Sequence, residues 1–249
     1  MKQVFRRVAL IAAIAVSAGA AQAEIIDFEQ PVGGPTTPNA PALMHGDVFL
    51  QGSYYFDTFS NTSNATVEDL VGAMINGNDL AMCFGVVCPS NNLSTFYGSL
   101  NDGAVAFSRM DGQSFAVNSF DASFIGGMGA SLPPVAGLLR LQGFTSTGAT
   151  LSQTYQLAGP DTGGALGFGS FNTTGTFAST NFAQVFAFGF ACNAGGACNA
   201  FSTNRAQFAL DNISVTAVPE PETTAMFGLG LLAMVAAVRR RRQSTQGSV

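Results

Sequence analysis

Apolar and polar residues alternate with a period of two in several windows between residues 24 and 217. In the clearest window, Phe186, Phe188 and Phe190 share one parity, and smaller residues occupy the positions between them. Because successive side chains of a β-strand point to opposite faces, this pattern predicts a strand packed under a second layer. Similar alternation over 139–142 and 150–157 predicts half-buried strands.

Further strand candidates are separated by turn signals. Asn101-Asp102-Gly103 and Asp111-Gly112 predict turns. The apolar parity changes at Asp211-Asn212, which predicts a bulge in the last strand, where a functional site could lie. About ten strands at this spacing predict an all-β fold, a β-sandwich of jelly-roll type. The additional strand candidates are 25–29, 52–59, 104–110, 115–120, 167–171 and 207–215.

One segment has the period of a helix. Val67, Leu70, Val71 and Met74 follow the i, i+3, i+4, i+7 pattern, with Asn76-Gly77 as a stop signal. We therefore expect one short helix on the outside of the sandwich. The proline pair in Leu132-Pro133-Pro134 predicts a long turn, and residues 24–217 are expected to form one domain.

The N-terminus has the three parts of a signal peptide. A positive segment is followed by the apolar run 8–16 and by the small-residue cleavage site Ala21-Gln22-Ala23. We expect residues 1–23 to be removed by signal peptidase after export through the Sec translocon, so that the mature chain begins at Glu24. The pair Arg6-Arg7 could indicate twin-arginine export, but its flanking residues favour the Sec route.

The C-terminus predicts a short membrane span. Residues 218–249 contain Pro219-Glu220-Pro221, the apolar run Ala225–Val238 and a cluster of arginines. Fourteen helical residues at about 1.5 Å each extend roughly 21 Å, less than the roughly 30 Å of a bilayer's hydrocarbon. The positive-inside bias holds the arginines in the cytoplasm and leaves the preceding chain outside. The cluster consists of Arg239, Arg240, Arg241 and Arg242.

This ordered combination resembles the PEP-CTERM sorting tail of exopolysaccharide-producing Gram-negative bacteria. In the resemblance, Pro219, Glu220 and Pro221 match the recognition motif, the apolar run matches the transient span, and the arginines match the stop. The resemblance implies cleavage by exosortase, a membrane-embedded protease and transpeptidase, and delivery to the cell surface or extracellular matrix. The extension 243–249 departs from the family pattern. An ordinary anchor that is never cut is the alternative.

Charge narrows the possible partners. Once both ends are set aside, the cations of residues 24–222 are Arg109, Arg140 and Arg205. They stand against fifteen carboxylates, which gives this part a net charge of −12. Such a body repels nucleic acid and anionic headgroups, so neither is an expected partner, whereas small cations are. The acidity could equally serve only solubility.

The body resembles short PEP-CTERM proteins with lectin-like sandwiches, in the opening 25–29, the middle 100–112, the segment 119–122 and the closing 208–215. The resemblance implies that the first and last strands are neighbours and share a structural Ca²⁺ site. Glu29 and Asp211 would be its oxygen donors. Calcium takes six to eight oxygens, some from carbonyls that a bulge exposes. The alternative is that Asp27, Glu29 and Asp211 are capping or turn carboxylates without metal.

The four cysteines form two close pairs. In an oxidising compartment an even number favours disulfides, and the local spacing favours Cys83 with Cys88 and Cys192 with Cys198. A four-cysteine zinc site is the alternative, but the five residues between Cys192 and Cys198 exceed the usual spacing.

Catalytic signals are sparse. His45 is the single histidine, in an expected loop, and no G-x-S-x-G motif occurs. We therefore predict a non-enzymatic, exported cell-surface or extracellular-matrix protein in an exopolysaccharide or biofilm context. The first alternative is a carbohydrate-binding module for the exopolysaccharide. It is disfavoured because sugar sites usually stack a sugar ring on an aromatic side chain, and the chain has no tryptophan and only four tyrosines, with most phenylalanines expected in the core. The second is a glycoside-active enzyme with two carboxylates distant in sequence.

Overall fold

The computed structural model describes residues 23–32, 42–62, 64–79, 83 and 85–217, together with Gly230 and Met234. The predicted signal peptide lies outside the described residues apart from Ala23, and the predicted sorting tail lies outside them apart from Gly230 and Met234, which are helical. Residues Ala23–Ala217 form one compact unit. Across the described ranges, no helix has the length and hydropathy that a bilayer span needs.

The regular secondary structure of the unit is β-strand apart from one short helix. In chain order the elements are β1 (Ala23–Ile26), β2 (Ala42–Met44), β3 (Val48–Gln51), β4 (Tyr54–Ser60), β5 (Leu70–Asn76), β6 (Val86–Val87), β7 (Thr95–Ser99), β8 (Gly103–Arg109), β9 (Phe115–Phe124), β10 (Gly126–Gly127), β11 (Val135–Phe144), β12 (Thr150–Ala158), β13 (Gly169–Asn172), α1 (Gly175–Ala178), β14 (Gln184–Cys192), β15 (Cys198–Asn199) and β16 (Phe208–Ala217).

The strands form two main sheets. The first has the order β13-β9-β16-β7-β5-β2, with β1 beside β16, and the second has the order β12-β11-β14-β8-β4-β3, with β15 beside β14. All the pairs are antiparallel. From β7 to β9 and again from β11 to β16, the chain crosses repeatedly between the sheets. The prediction of a jelly-roll β-sandwich is confirmed.

Aromatic side chains fill the space between the sheets. Phe49 and Phe56 stack with their ring centroids 4.8 Å apart, and the ring of Phe28 meets that of Phe56 edge-on at 5.5 Å. Tyr54 meets Phe115 edge-on across the sandwich at 5.1 Å. Edge-on and offset pairs add about 0.5–1.5 kcal/mol each to the stabilisation from burial, so this cluster is a main source of stability.

A smaller apolar cluster lies on the opposite side of the first sheet. Its buried members include Ile75 of β5, Phe96 of β7 and Ile125. Cys83 and Val86 pack against it from the segment that contains β6. That segment pairs with β10 and is closed by the Cys83–Cys88 disulfide. The first sheet is therefore partly covered on its outer side by a disulfide-stapled layer.

Both predicted disulfides are present. Cys83 bonds to Cys88, and Cys192 bonds to Cys198. Cys192 and Cys198 are also register partners in the β14–β15 pair, so the second disulfide closes a hairpin. Since all four thiols are oxidised in pairs, the four-cysteine zinc alternative is wrong.

The predicted helix at Val67–Met74 is wrong. Leu70–Asn76 forms β5, between β2 and β7 in the first sheet. Its residues 71–75 are all buried, because the core lies on one side and the smaller cluster on the other. A strand buried on both faces loses its period of two, and its apolar positions then coincide with a helical pattern. Asp69 caps a turn instead, accepting hydrogen bonds from Thr66.

The first and last strands are neighbours, as the resemblance implied. Ala23 pairs with Thr216, and Ile26 pairs with Ile213. The predicted bulge in β16 is also confirmed, because the register with β9 shifts after Asp211. Asn212 has a φ of 48°, in the left-handed region that asparagine tolerates better than most residues.

A buried carboxylate fixes the loop that leads into β16. Asn101 and Asp102 have φ values of 51° and 57° in the β7–β8 turn, as a type I′ turn requires. The Asp102 carboxylate, which is 2% exposed, accepts backbone N–H bonds from Thr203 (3.0 Å), Asn204 (2.8 Å) and Ala206 (2.6 Å). Three otherwise orphaned donors are satisfied by this one side chain.

We expect Asp102→Ala to lower the free energy of unfolding by about 2–3 kcal/mol, because it leaves buried N–H groups without acceptors. Urea unfolding of the exported protein measures the change. Asp161→Ala is the matched control, since Asp161 accepts N–H bonds from Gly163 and Ala165 in an exposed loop. Equal losses for the two variants would show that burial of Asp102 adds nothing.

Candidate functional site

The outer face of the second sheet carries a group of aromatic rings. On β14, Val185, Ala187 and Gly189 are buried and face the core between the two sheets. The alternate residues Phe186, Phe188 and Phe190 therefore lie on the outer face of the second sheet, where they are only half-buried. Small residues face inward here because the opposite sheet already fills the space. A Cβ on Gly189, for example, would lie 3.1 Å from the ring of Phe208.

We call this surface the aromatic platform; its rings belong to Phe59, Phe144, Phe186, Phe188, Phe190 and Phe201. Phe186 contacts Phe59 and Phe144, with centroid distances of 5.4 and 5.1 Å. Phe188 contacts Phe190 and Phe201, at 5.6 and 5.3 Å. The rings therefore form two groups, centred on Phe186 and on Phe188, which are two residues apart on β14.

Alanines on β8 allow the rings to meet. Phe59 pairs with Ala104, and Phe186 pairs with Ala106, so the two phenylalanines lie on strands that flank β8. Ala104 and Ala106 are both buried beneath the outer layer. A larger residue at either position would separate the rings. Because phenylalanine has no polar atom, half-exposed rings of this kind leave apolar surface in contact with water.

Arg140 lies at the edge of the platform. It stands on β11 between its register partners Thr154 of β12 and Phe188 of β14. Its guanidinium carbon is 4.9 Å from the ring centroid of Phe190 and 6.0 Å from that of Phe188. Its Nε donates a hydrogen bond to Thr154 Oγ1 at 3.0 Å. These contacts hold the planar head in one orientation.

Polar side chains flank the rings. Gln142 lies beside Arg140 on β11, and Ser152 and Gln156 lie on the exposed side of β12. On the other flank, partial burial raises the pKa of Asp57, and the nearby His45 offsets part of that rise. Aromatic faces edged by hydroxyl, amide and guanidinium groups suit a ligand that has both C–H faces and polar substituents.

The structure brings the two predicted calcium ligands to one segment. Glu29 Oε1 accepts a hydrogen bond from the backbone N–H of Thr95 at 2.9 Å. Asp211 Oδ2 accepts hydrogen bonds from Asn92 Nδ2 at 2.7 Å and from Ser94 Oγ at 2.8 Å. Both carboxylates thus hold residues 92–95, and each of these oxygens faces hydrogen-bond donors.

The environment of Asp211 is crowded and acidic. Burial raises the pKa of Asp211, while its bonds to Asn92 and Ser94 lower it and the charge of Asp121 raises it. Asp121 is its register partner on β9 and accepts a hydrogen bond from Ser170. A polar cleft of about 410 Å³ opens beside this pair. Within the described ranges, no three His, Cys, Asp or Glu side chains group closely enough to hold a metal ion.

The Ca²⁺ site stays a prediction, and thermal unfolding tests it. If Glu29 and Asp211 share an ion, the melting temperature should rise with free calcium and fall on chelation, because an ion that binds only the folded state stabilises it. Glu29→Gln should reduce the calcium effect while keeping an acceptor for Thr95. Identical melting curves in chelator and in millimolar calcium would reject the site.

His45 has a structural place. It lies in the turn between β2 and β3, and its Nδ1 accepts a hydrogen bond from the backbone N–H of Ser60 at 3.0 Å. Accepting that bond uses the lone pair that a general base would need at this nitrogen.

The remaining predicted site residues, Pro219, Glu220, Pro221 and Arg239 to Arg242, lie outside the described residues. Sequence comparison addresses them: residues 217–242 match the PEP-CTERM protein-sorting motif. The chain carries this sorting signal at its C-terminal end. The motif implies an exported protein that is anchored in the membrane before exosortase processes it, so the resemblance drawn from the tail residues is confirmed.

No curated protein matches the chain in sequence. Among solved structures, TmCBM61 in complex with beta-1,4-galactotriose has a TM-score of 0.32 and 6% identity over 64% of this chain and 86% of its own. A xylan-binding domain from Paenibacillus barcinonensis has a TM-score of 0.30 and 11% identity over 82% and 99%. An apo cyclase from Fischerella sp. has a TM-score of 0.38 and 11% identity over 79% and 97%. Since these scores are below 0.5, the fold description rests on the strand pairing.

Sequence reasoning missed the platform as a surface. The alternation at 186–190 located the phenylalanines on one face of a strand but carried no sign of which face was covered. The position of Arg140 in the sequence did carry information about the exposed face. This cation alternates with Leu139 and Leu141, which are buried. An arginine on the outer parity of β11 marks the same face as Phe186 and Phe188, once the β11–β14 register is known.

Proposed function

We propose that this protein is a non-enzymatic component of the cell surface or extracellular matrix, released from the inner membrane by exosortase. The match of residues 217–242 to the sorting motif carries the proposal. The net charge of −12 for residues 24–222 and the two disulfides support a body that remains outside the cell. Export through the Sec translocon and removal of residues 1–23 by signal peptidase belong to the same proposal.

The described fold places the first and last strands of the sandwich side by side. Ala23, after which the signal peptide is expected to be cut, pairs with Thr216 of β16. β16 ends at Ala217, two residues before Pro219. Prolines at 219 and 221 lack backbone donors and therefore disfavour continuation of the strand into the motif. Cleavage near the motif would leave the strands of the sandwich intact.

We expect intact-mass measurement of surface material from an exosortase-containing host to show a chain that begins at Glu24 and ends near Pro219-Glu220-Pro221. Alanine at all three motif positions should leave uncut protein in the inner membrane. Neutral residues at Arg239 to Arg242 should let the tail slip through, because the positive stop is lost.

Alanine at Ser244 and Thr245, in the extension beyond the arginines, is the matched control and should leave processing unchanged. A surface species that still carries residues 225–242 would mean that the tail is a permanent anchor.

Carbohydrate binding is the second candidate function, and the aromatic platform is the observation that favours it. The absence of tryptophan argued against sugar stacking, and most described phenylalanines are indeed buried. The platform nevertheless offers half-exposed rings beside amide and hydroxyl groups. The C–H face of a sugar packs on an aromatic face, and its hydroxyls need such polar partners.

A polysaccharide pull-down with the exported protein tests this candidate. We expect Phe186→Ala and Phe188→Ala each to weaken binding by about 2- to 10-fold, since each removes one stacking face. Phe171→Ala is the matched control, because Phe171 is partly buried on β13 in the first sheet. No retention by the host's exopolysaccharide, or equal losses in all three variants, would contradict binding at the platform.

A further inference from the structure

We propose that the aromatic platform binds a polysaccharide whose sugars carry carboxylates, and that the Nη groups of Arg140 receive one of those carboxylates. This inference rests on the carbohydrate-binding candidate and adds the class of sugar. The fold orients the guanidinium of Arg140 and leaves its Nη groups available to a ligand.

Arg140 is preorganised for an anion. Its Nε is engaged by Thr154, and its head lies against Phe190 and Phe188. No described residue accepts a hydrogen bond from its two Nη groups. The ion pair of the described body instead joins Arg109 to Asp111. A guanidinium fixed through Nε still presents paired N–H donors, and that fork matches the two oxygens of a carboxylate.

The local charge favours an anion although the body as a whole is acidic. Along the outer positions of the second sheet, the charged side chains are Arg140 on β11 and Asp57 on β4. β11 and β4 are three strands apart, or about 14 Å at roughly 4.8 Å per strand. That separation exceeds the Debye length of about 8 Å at physiological salt, so Asp57 scarcely affects an anion at Arg140.

A second nearby carboxylate is already occupied. Asp102 precedes β8, but its oxygens accept the backbone N–H groups of Thr203, Asn204 and Ala206. The guanidinium is complementary in charge to a ligand carboxylate and has no competing partner among the described side chains.

The rings and polar groups complete the match. A sugar acid has an apolar C–H face for Phe186 or Phe188, hydroxyls for Gln142, Thr154 and Gln156, and one carboxylate for Arg140. A neutral glycan would use the rings but leave the guanidinium fork unused.

Polygalacturonate is the probe, with its fully methyl-esterified form as the matched ligand. Esterification keeps the sugar backbone and removes the charge. We expect the exported protein to bind free polygalacturonate at least about tenfold more tightly than the ester, because a charge-assisted bidentate bond is lost. The preference should shrink as sodium chloride is raised.

Variants of Arg140 assign the preference to this residue. Arg140→Gln should abolish the difference between the two polymers, and Arg140→Lys should restore only part of it, since an ammonium cannot form the planar fork. Arg205→Gln is the matched control, because it removes the same charge from an exposed loop residue. Melting temperatures close to that of the unmodified protein establish that the variants are folded.

The outcomes separate this inference from the function on which it rests. Equal binding of both polymers, with loss in Phe188→Ala, would overturn the carboxylate assignment and leave carbohydrate binding in place. If Arg140→Gln and Arg205→Gln weaken the preference equally, the preference depends on net charge alone, and the assignment of the carboxylate to Arg140 is overturned. If neither polymer nor the host's exopolysaccharide is retained, both carbohydrate binding and the carboxylate assignment are rejected. If the protein dimerises with increasing concentration and Phe188→Ala abolishes the dimer, the occupant of the platform is a second copy of the chain.

Discussion

The pairing of β16 at the centre of the first sheet is the constraint on which the fold depends. This strand joins β9 on one side, and β7 and β1 on the other. Phe208 and Leu210 belong to the main core, and Ala209 belongs to the smaller cluster outside the sheet. Without β16 the first sheet would separate into two parts, and both apolar clusters would lose a wall. Such non-local pairing carries a large loop-closure cost, so it is expected to form late in folding.

The two sheets differ in what covers their outer sides. The first sheet carries a small apolar cluster beneath the Cys83–Cys88 segment, whereas the second carries rings that cover only one another. Each short disulfide loop contributes modest stabilisation, because few residues are constrained. Its larger effect is to keep a thin layer in place over Ile75 and Phe96. The disulfide of the second sheet closes the β14–β15 hairpin, whereas the aromatic rings of that sheet remain half-exposed.

Local pattern predicted most strands, both disulfides and the bulge, because each depends on neighbouring residues or on strand parity. It failed at β5, where burial on two faces hid the period of two, and it missed β2, β3 and β7 and the two-residue strands β6, β10 and β15. Those strands are recognisable only from their partners. The platform could not be predicted for a related reason: parity separates two faces, but only the partner sheet decides which of them is covered. The contact of Glu29 and Asp211 with residues 92–95 likewise depends on the fold as a whole.

The position of the aromatic platform on one sheet also limits how this protein could act in a matrix. A molecule with binding faces on both sheets could join two polymer strands and stiffen a gel. Here the outer side of the first sheet is partly covered by its stapled layer, and a ligand that uses the platform approaches from the side of the second sheet. A polymer bound there would be coated by the acidic body, whose like charges repel the next copy. The protein would then space polymer chains apart and hydrate them, and it would not cross-link them.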